Sequence, residues 1–309
     1  MLRLLLNAHS RIAIPGETSF FVALSEAPPY PNAPWHSLVA MALSCFETAL
    51  VPPIDGTRIE RELLARPGDP RLLCELPLSR WAASEGKPRW GEKTPGHIFY
   101  LDTVMQLFPD AKVIAIKRDP RAVVASMNSY VQAGNDTALN AHLWRDVWTK
   151  GRRLLDSAVP SANRLLVDYD ELVAHPEPSV RSICAFIDES YEPGMLDFGE
   201  ASSRYVATIR TPKLTQSITP PEATFQDRLS ARDIAIIEMV CGPVMNDLGY
   251  TPSGVRPSLR ARSNTRAKLL YVKAKQLQHR QARYHSVTYA PFGRLRRLAS
   301  RVPSHRGRP

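Results

Sequence analysis

Three short segments carry side chains whose types and spacing suit the binding of an anion. The first is FPDAKVIAIKRDPRAVVASMNSY, residues 108–130, in which a short apolar strand is followed at once by Arg118. Asp119 is placed to cap the next helix, and Pro120 suits its first turn. Ser126, about two helical turns further on, shares the face of the cap. An arginine fork and a hydroxyl on one face can hold a phosphate, and a capped turn with a surface ion pair is the alternative.

The other two segments each add one charged side chain in a loop. GEKTPGH, residues 91–97, places Lys93 just before Thr94, which can cap the following helix. Lys93 can act as a point charge on an anionic group, or it can be a solvated surface side chain. PGETSFF places Glu17 after a Pro-Gly turn at the end of a strand. Glu17 can serve as a general base, or it can be an acidic residue at the start of the next helix.

The elements that position these side chains alternate between strand and helix. Three stretches have the short apolar pattern of buried parallel strands, namely Arg11–Ile14, Lys112–Lys117 and Arg164–Val167. A helix is predicted from His97 to Phe108, and another ends at Gly249. The alternation predicts an α/β fold in three layers, with a parallel sheet covered by helices on both faces. Segments 28–88 and 188–228 are predicted to be helical or loop insertions around a cleft.

The positive charge of the chain is confined to its C-terminal end. The 309 residues include 40 Lys and Arg and 30 Asp and Glu, for a net charge of +10. Residues 253–309 hold 15 of the basic and none of the acidic residues, so residues 1–252 carry 25 basic and 30 acidic residues, a net of −5. We therefore predict an α/β domain at 1–252 and a basic tail at 253–309, with a helix over Lys268–Gln278 and disorder over Arg294–Pro309.

The composition also indicates the cellular compartment of the protein. No run of about 18 apolar residues exists, and the apolar run Leu4–Leu6 is too short for a secretion signal. The four cysteines lie far apart, so buried free thiols in a reducing compartment are predicted. The expected location is cytoplasmic, with a peripheral membrane contact through the tail as an extension of it.

In this order the segments resemble a known family. NAHSRIAIPGET, EKTPGH and LFPDAKVIAIKRDPRAVVAS are similar to the sulfotransferases that use 3′-phosphoadenosine-5′-phosphosulfate (PAPS), especially the broad bacterial family related to tyrosylprotein and carbohydrate sulfotransferases. LLVDYDELVAHPEPSVRSICAFI and MNDLGY resemble the family's later strand–helix unit and its closing helix. The resemblance spans roughly residues 1–252, and the block from Arg118 to Ser126 is its most specific part.

The resemblance implies a sheet like that of the P-loop nucleotide kinases and a role for each candidate side chain. Arg118 and Ser126 would bind the 3′-phosphate of PAPS, with Tyr169 close to this donor. Glu17 would take the proton from the acceptor hydroxyl, and Lys93 would stabilise charge on the leaving phosphate during in-line sulfuryl transfer. No metal ion is expected, because cationic side chains cover the developing charge. The acceptor stays open between carbohydrate, lipid, metabolite and peptide hydroxyls.

One part of such an enzyme does not occur in the sequence. A first strand should run into a loop like Pro-Arg-Ser-Gly-Thr-Thr, whose backbone N–H groups wrap the 5′-phosphosulfate. The N-terminal strand and loop are therefore expected to be missing, through a truncated sequence or a true loss, and the chain as written is expected to bind PAPS poorly. Absence of the central strand would leave two strands with unpaired edges. Lys213 and Thr215 are candidates in a later loop, 211–226, that closes over the donor in relatives.

Two other functions stay open at this point. A nucleoside or nucleotide kinase would need a G-x-x-x-x-G-K-[ST] loop, which these residues do not contain. A non-catalytic relative would act through the basic tail, where tyrosines are interleaved with the 15 positive charges. Such a tail suits an anionic membrane surface, and no specific nucleic acid is predicted.

Overall fold

Four short parallel strands organise the first part of the molecule. The computed structural model describes residues 1–26, 33–129, 136–197 and 224–278, with side chains through Tyr271. Strand β1 (Ile12–Ala13) pairs with β2 (Arg89–Trp90), and β3 (Val113–Lys117) pairs with β4 (Arg164–Asp168). Both pairs are parallel, and β1, β3 and β4 lie in the three predicted strand segments, so the predicted α/β class is confirmed.

The chain divides into two units. The first consists of Met1–Arg118 and Lys150–Pro221, and the second of Asp119–Thr149 and Glu222–Pro309. The boundary after residue 252 that the charge distribution indicates stays a prediction.

The first unit contains nine of the described α-helices. They are α1 (Leu2–Ala8), α2 (Phe20–Glu26), α3 (Trp35–Glu47), α4 (Gly56–Leu64), α5 (Leu72–Ser84), α6 (Leu101–Leu107), α9 (Arg152–Ala158), α10 (Tyr169–Ala174) and α11 (Pro176–Phe186). Single 3₁₀ turns at Pro95–Phe99, Ser161–Asn163 and Pro193–Leu196 connect them. In the second unit the described α-helices are α7 (Pro120–Asn128), α8 (Thr137–Asp146), α12 (Phe225–Arg228), α13 (Ala231–Asp247) and α14 (Leu259–Gln278).

Helices cover both faces of β3. Ile114 packs against the apolar cluster that contains Leu172 of α10. Its neighbour Val113 packs against Leu101 of α6 and Leu155 of α9. Because successive side chains of a strand point to opposite faces, these contacts define a helical layer on each side. The predicted three-layer arrangement is therefore confirmed at this strand.

The two strand pairs share no ladder of hydrogen bonds among the described residues. Within them, β2 pairs with β1 alone and β3 with β4 alone, which is the arrangement expected if a strand between them is missing. Ile116 of β3 is 38% exposed, although parallel strands are normally covered on both faces. The missing strand itself stays a prediction.

The insertion predicted at residues 28–88 is helical over α3, α4 and α5. These helices and α2 enclose the largest apolar cluster of the first unit, which includes the buried rings of Phe20, Phe46 and Trp81. Residues 27–32 of this insertion lie outside the described residues, as do residues 198–223 of the one predicted at 188–228.

The single helix predicted from His97 to Phe108 is wrong in its first turn. The structure has a 3₁₀ turn and then α6, and Tyr100 interrupts the helical path with φ −135° and ψ 28°. The Tyr100 hydroxyl donates a hydrogen bond of 2.9 Å to Glu26 on α2. A tertiary contact thus overrides the apolar periodicity on which the prediction was based.

The second unit packs α7, α8 and α13 around one apolar cluster. Val124, Trp144 and Ile237 are among its buried members. Helix α13 begins after Ser230, whose hydroxyl accepts a bond from the Asp233 amide, and it is followed by Gly249 at φ +86°. The predicted glycine stop is confirmed, since glycine adopts this left-handed conformation without strain.

Helix α14 is longer than the predicted Lys268–Gln278. It begins at Leu259, because the small side chains of Ala261 and Thr265 are buried and Leu269 packs on the cluster of α8 and α13. The charge pattern on which the prediction was based carries no information about this small buried face. The segment predicted to be disordered lies outside the described residues.

All four cysteines are free and buried, as predicted. Burial raises the pKa of the Cys45 and Cys241 thiols to about 12, and it also raises the pKa values of Cys74 and Cys184. Since the thiolate is the reactive form, we expect the native protein to react with an aromatic disulfide reagent at pH 8 about 100-fold more slowly than the urea-unfolded chain. A thiol that reacts equally fast in both states would contradict its burial.

Candidate active site

Four of the five predicted site residues follow the four strands, one after each. Glu17 follows β1, Lys93 follows β2, Arg118 follows β3 and Tyr169 follows β4. All four belong to the first unit. Ligands of parallel α/β sheets bind beyond the carboxyl ends of the strands, so the fold gives these side chains a suitable location.

The loop that carries Glu17 is fixed by buried polar side chains of α1. Asn7 pairs with both backbone groups of Ile14, donating to its carbonyl and accepting from its amide at 2.6 Å each. Arg3 donates to the Pro15 carbonyl at 3.0 Å. A Cβ added at Gly16 would lie 3.2 Å from the Ala49 carbonyl oxygen, so the close approach there favours glycine. The apolar face of α1 thus contains two polar anchors for the loop.

Glu17 and Lys93 form an ion pair. The Lys93 amino group contacts Oε1 of Glu17, and the side chains of Lys93 and Glu17 are 42% and 41% exposed, respectively. These two residues lie 76 positions apart in the sequence. The structure therefore brings the two predicted catalytic residues together at a surface that solvent can reach.

Arg118 and Tyr169 also lie together. The guanidinium carbon of Arg118 is 4.0 Å from the centre of the Tyr169 ring, which is a cation–π contact. Beside them Lys117 contacts Asp168 at 2.9 Å across the β3–β4 pair. Burial by itself raises the pKa of Asp168, but the contact with Lys117 and the backbone amides of Asp170 and Glu171 together outweigh it and hold that pKa below its usual value. The strand ends that carry Arg118 and Tyr169 are thus tied by an ionised pair.

Ser126, the fifth predicted residue, lies half-buried on α7 of the second unit. The helix begins as predicted, with the Asp119 side chain accepting from the Arg121 amide and Pro120 in the first turn. The buried Arg121 guanidinium also bonds Asp119 at 2.6 Å and Glu238 on α13 at 2.9 Å. Arg118 ends the first unit, so its joint contact with Ser126 on one phosphate stays a prediction.

The carboxylate of Glu92, the residue before Lys93, is buried against the loop that carries Glu17. Its Oε1 accepts from the Thr18 hydroxyl at 2.7 Å and the Thr94 hydroxyl at 2.8 Å, and His97 Nδ1 lies 2.6 Å from Oε2. Burial raises the pKa of Glu92, but the His97 contact and the hydroxyl bonds outweigh it, so that pKa is lower than usual.

These contacts correct one expectation. Thr94 was predicted to cap the next helix through its side chain, but it makes no such bond, because its hydroxyl is used by Glu92 and by the Ser19 amide. The ring of His97 is buried against Phe21, with 4.9 Å between the ring centres.

Sequence reasoning missed the roles of Glu92, Asn7 and Arg3. Asn7 and Arg3 are polar residues on the otherwise apolar helix α1, and such a residue is an available signal for a buried anchor. Glu92 lies beside Lys93, and nothing in the sequence distinguishes it from an exposed glutamate. Lys213 and Thr215 lie outside the described residues. Among the residues that the structure describes, no helix is both long and apolar enough to cross a bilayer.

The fold is that of an α/β protein whose charged side chains collect beyond the carboxyl ends of parallel strands. A model described as the sulfotransferase family matches residues 1–193. Because this match covers more than half of the 309 residues, the chain belongs to the sulfotransferase family.

Curated relatives are protein-tyrosine sulfotransferases. The chain is 24% identical to protein-tyrosine sulfotransferase A of Caenorhabditis elegans over 181 residues, which cover 55% of this chain and 47% of the relative. It is 28% identical to protein-tyrosine sulfotransferase 1 of Danio rerio over 185 residues, which cover 54% of this chain and 49% of that relative. The chain therefore spans about half the length of these relatives. The solved sulfotransferase domain from the Curacin biosynthetic pathway has a TM-score of 0.49 and 14% identity, with 81% of this chain and 93% of that domain covered.

Proposed function

We propose that this chain is a PAPS-dependent sulfotransferase that moves a sulfuryl group to an acceptor hydroxyl. The observation that carries the proposal is the Glu17–Lys93 pair, since a carboxylate and an ammonium in contact provide a proton acceptor and a charge stabiliser at one point. Membership of the sulfotransferase family supports the reaction class.

In this proposal the donor is held by groups beyond β3 and β4. Arg118 binds the 3′-phosphate with its guanidinium fork while Tyr169 supports the guanidinium from one face. Ser126 adds a hydroxyl from α7. The side chains of Arg118, Tyr169 and Ser126 suit PAPS chemically, because an oriented arginine and a hydroxyl are the hydrogen-bond donors that a phosphate monoester needs.

The reaction then follows from the two catalytic side chains. The acceptor oxygen forms a bond to sulfur as the bond from sulfur to the phosphate oxygen breaks, and Glu17 takes the acceptor proton. Lys93 neutralises the charge that develops on the leaving phosphate. The ion pair is the resting form, so the shift of Lys93 to the phosphate frees Glu17 to act as a base. No metal ion takes part in the proposed reaction.

The direct test is transfer of labelled sulfate from PAPS. Both the chain as written and the chain extended by its in-frame upstream codons should be assayed. Peptides with exposed tyrosines come first, because the relatives are named protein-tyrosine sulfotransferases, followed by carbohydrate, lipid and metabolite hydroxyls. Absence of both transfer and adenosine 3′,5′-bisphosphate binding in the two chains would reject the proposal, and phosphate transfer from ATP would favour a kinase.

A second function, contact with an anionic membrane surface from the cytoplasm, is favoured by α14. Its outer face exposes Leu259 by 79% and Leu270 by 65%, with Arg266 between them at helical spacing. Opposite this face lie the buried Ala261 and Thr265. Two exposed leucines with an arginine between them can contact the interface of an anionic bilayer.

Sedimentation with lipid vesicles tests this function. We expect binding to vesicles that contain about one-third phosphatidylserine and loss of most of it when both Leu259 and Leu270 are changed to Asn, because each buried leucine contributes about 1.5–3 kcal/mol. The matched variant Leu64→Asn changes another exposed leucine, 45% exposed on α4, and should bind as the unaltered protein does. Equal binding to neutral vesicles would contradict the proposal.

A further inference from the structure

The carboxylate of Glu92 connects the backbone of the Glu17 loop to the loop that carries Lys93. Its side chain is 6% exposed, which is unusual for a glutamate. It accepts at Oε1 from the Thr18 amide at 3.3 Å as well as from the hydroxyls of Thr18 and Thr94. One ionised group therefore receives donors from both loops.

Three consecutive amides of the Glu17 loop depend on this carboxylate. The Thr18 amide bonds Glu92 directly. The Ser19 amide donates to the Thr94 hydroxyl at 3.0 Å, and the Phe20 amide donates to the Thr18 hydroxyl at 3.1 Å. Each of these hydroxyls in turn donates to Glu92. The carboxylate thus orders Thr18 to Phe20 either directly or through one hydroxyl.

The ordered loop is strained at Ser19. Its φ is +57°, in the left-handed region that residues other than glycine rarely adopt. Such a conformation costs about 1–3 kcal/mol and persists only where surrounding contacts determine it. At this position those contacts are the bonds that lead to Glu92.

His97 lies beside the second oxygen of this carboxylate. Its Nδ1 is 2.6 Å from Oε2 of Glu92, while neither Oε2 nor the buried Nε2 of His97 has a hydrogen-bond partner in the described part of the chain. The hydrogen bonds that order the loop therefore all converge on Oε1.

We propose that Glu92 is a positioning residue that holds Glu17 and Lys93 in their reactive arrangement. Glu17 directly precedes the ordered amides, and Lys93 directly follows Glu92. The proposal rests on the proposed function of those two residues. It also explains why a charge is retained in the interior, where a hydrophobic side chain of similar size is often neutral or stabilising.

Two substitutions weaken the hydrogen bonds that lead to Glu92 while nearly keeping the size of the side chain that is changed. Glu92→Gln removes the charge and replaces one carboxylate oxygen with an amide nitrogen. Thr94→Val removes the hydroxyl between Ser19 and Glu92, and Thr94→Ser keeps it. Thr149→Val removes a hydroxyl that bonds only backbone carbonyls in the other unit, so it serves as the matched control.

The readouts are amide hydrogen exchange over residues 15–21 and steady-state kinetics on the full chain. For Glu92→Gln and Thr94→Val we expect exchange about tenfold faster at these amides, since each loses bonds worth about 1 kcal/mol. Turnover should fall about 10- to 100-fold with the KM for PAPS nearly unchanged, because a small displacement of catalytic groups has that effect. Thr94→Ser and Thr149→Val should behave as the unaltered protein.

Two results would overturn the proposal. Unchanged exchange over residues 15–21 in both weakened variants would show that Glu92 does not order the loop. Faster exchange with unchanged turnover would show that loop order does not serve catalysis. If the unaltered protein transfers no sulfuryl group, the proposed function fails, whereas the exchange measurement still decides whether Glu92 orders the loop.

Discussion

Glu17→Gln lowers the turnover of sulfuryl transfer by about 10²- to 10⁴-fold, because the amide cannot take the acceptor proton. The substitution keeps the size of the side chain and its ability to contact Lys93. Donor binding should be preserved, since the groups assigned to the donor lie beyond β3 and β4. The expected signature is a loss in kcat alone.

Single-turnover kinetics at saturating PAPS, with adenosine 3′,5′-bisphosphate binding by calorimetry, measure the two quantities separately. Glu60→Gln on α4 is the matched control, since Glu60 is an exposed glutamate away from the four strand ends. Turnover of Glu17→Gln within threefold of the unaltered protein would remove Glu17 from the proton transfer.

Arg118→Ala weakens adenosine 3′,5′-bisphosphate binding by about 2–4 kcal/mol, a loss of roughly 30- to 1,000-fold in affinity. The loss is large because a phosphate left without its charged partner in a partly desolvated site cannot recover its hydration. The contact with Tyr169 strengthens the effect by orienting the guanidinium before the ligand arrives.

Two further variants make this measurement specific. Tyr169→Phe keeps the ring below the guanidinium and should retain affinity within a fewfold. Arg58→Ala removes an exposed arginine that pairs with Glu62 on α4, and it should leave binding unchanged. An Arg118→Ala variant with affinity within twofold of the unaltered protein would contradict the role of Arg118.

The parts of the fold that local chemistry determines were predictable from the sequence. Short apolar strands, the Asp119 cap with Pro120, and the glycine that follows α13 all depend on neighbours within a few residues. The placement of Glu17, Lys93, Arg118 and Tyr169 after four strands follows from those local signals. Parallel strands bring such residues to one edge of a sheet without further information.

The features of the site and fold that depend on contacts between distant segments were not predictable from the sequence. Glu92 meets Thr18 across 74 positions, and no periodicity marks that meeting. The Ser19 amide, 75 positions away, donates to the Thr94 hydroxyl, which makes no cap bond. At Tyr100 a bond to Glu26 ends a helical pattern that looked continuous. In each case a side-chain bond between segments far apart in the chain outweighed a local preference.

The burial of all four cysteine thiols makes the chain a convenient host for spectroscopic probes. The sequence has four cysteines, and all of them lie in the interior. A cysteine introduced at the exposed Ser263 of α14 and another at the exposed Glu60 of α4 would each accept a dye or spin label far faster than the native thiols. Such a labelled pair reports the separation of the two units in solution, with and without nucleotide, from an otherwise unaltered protein.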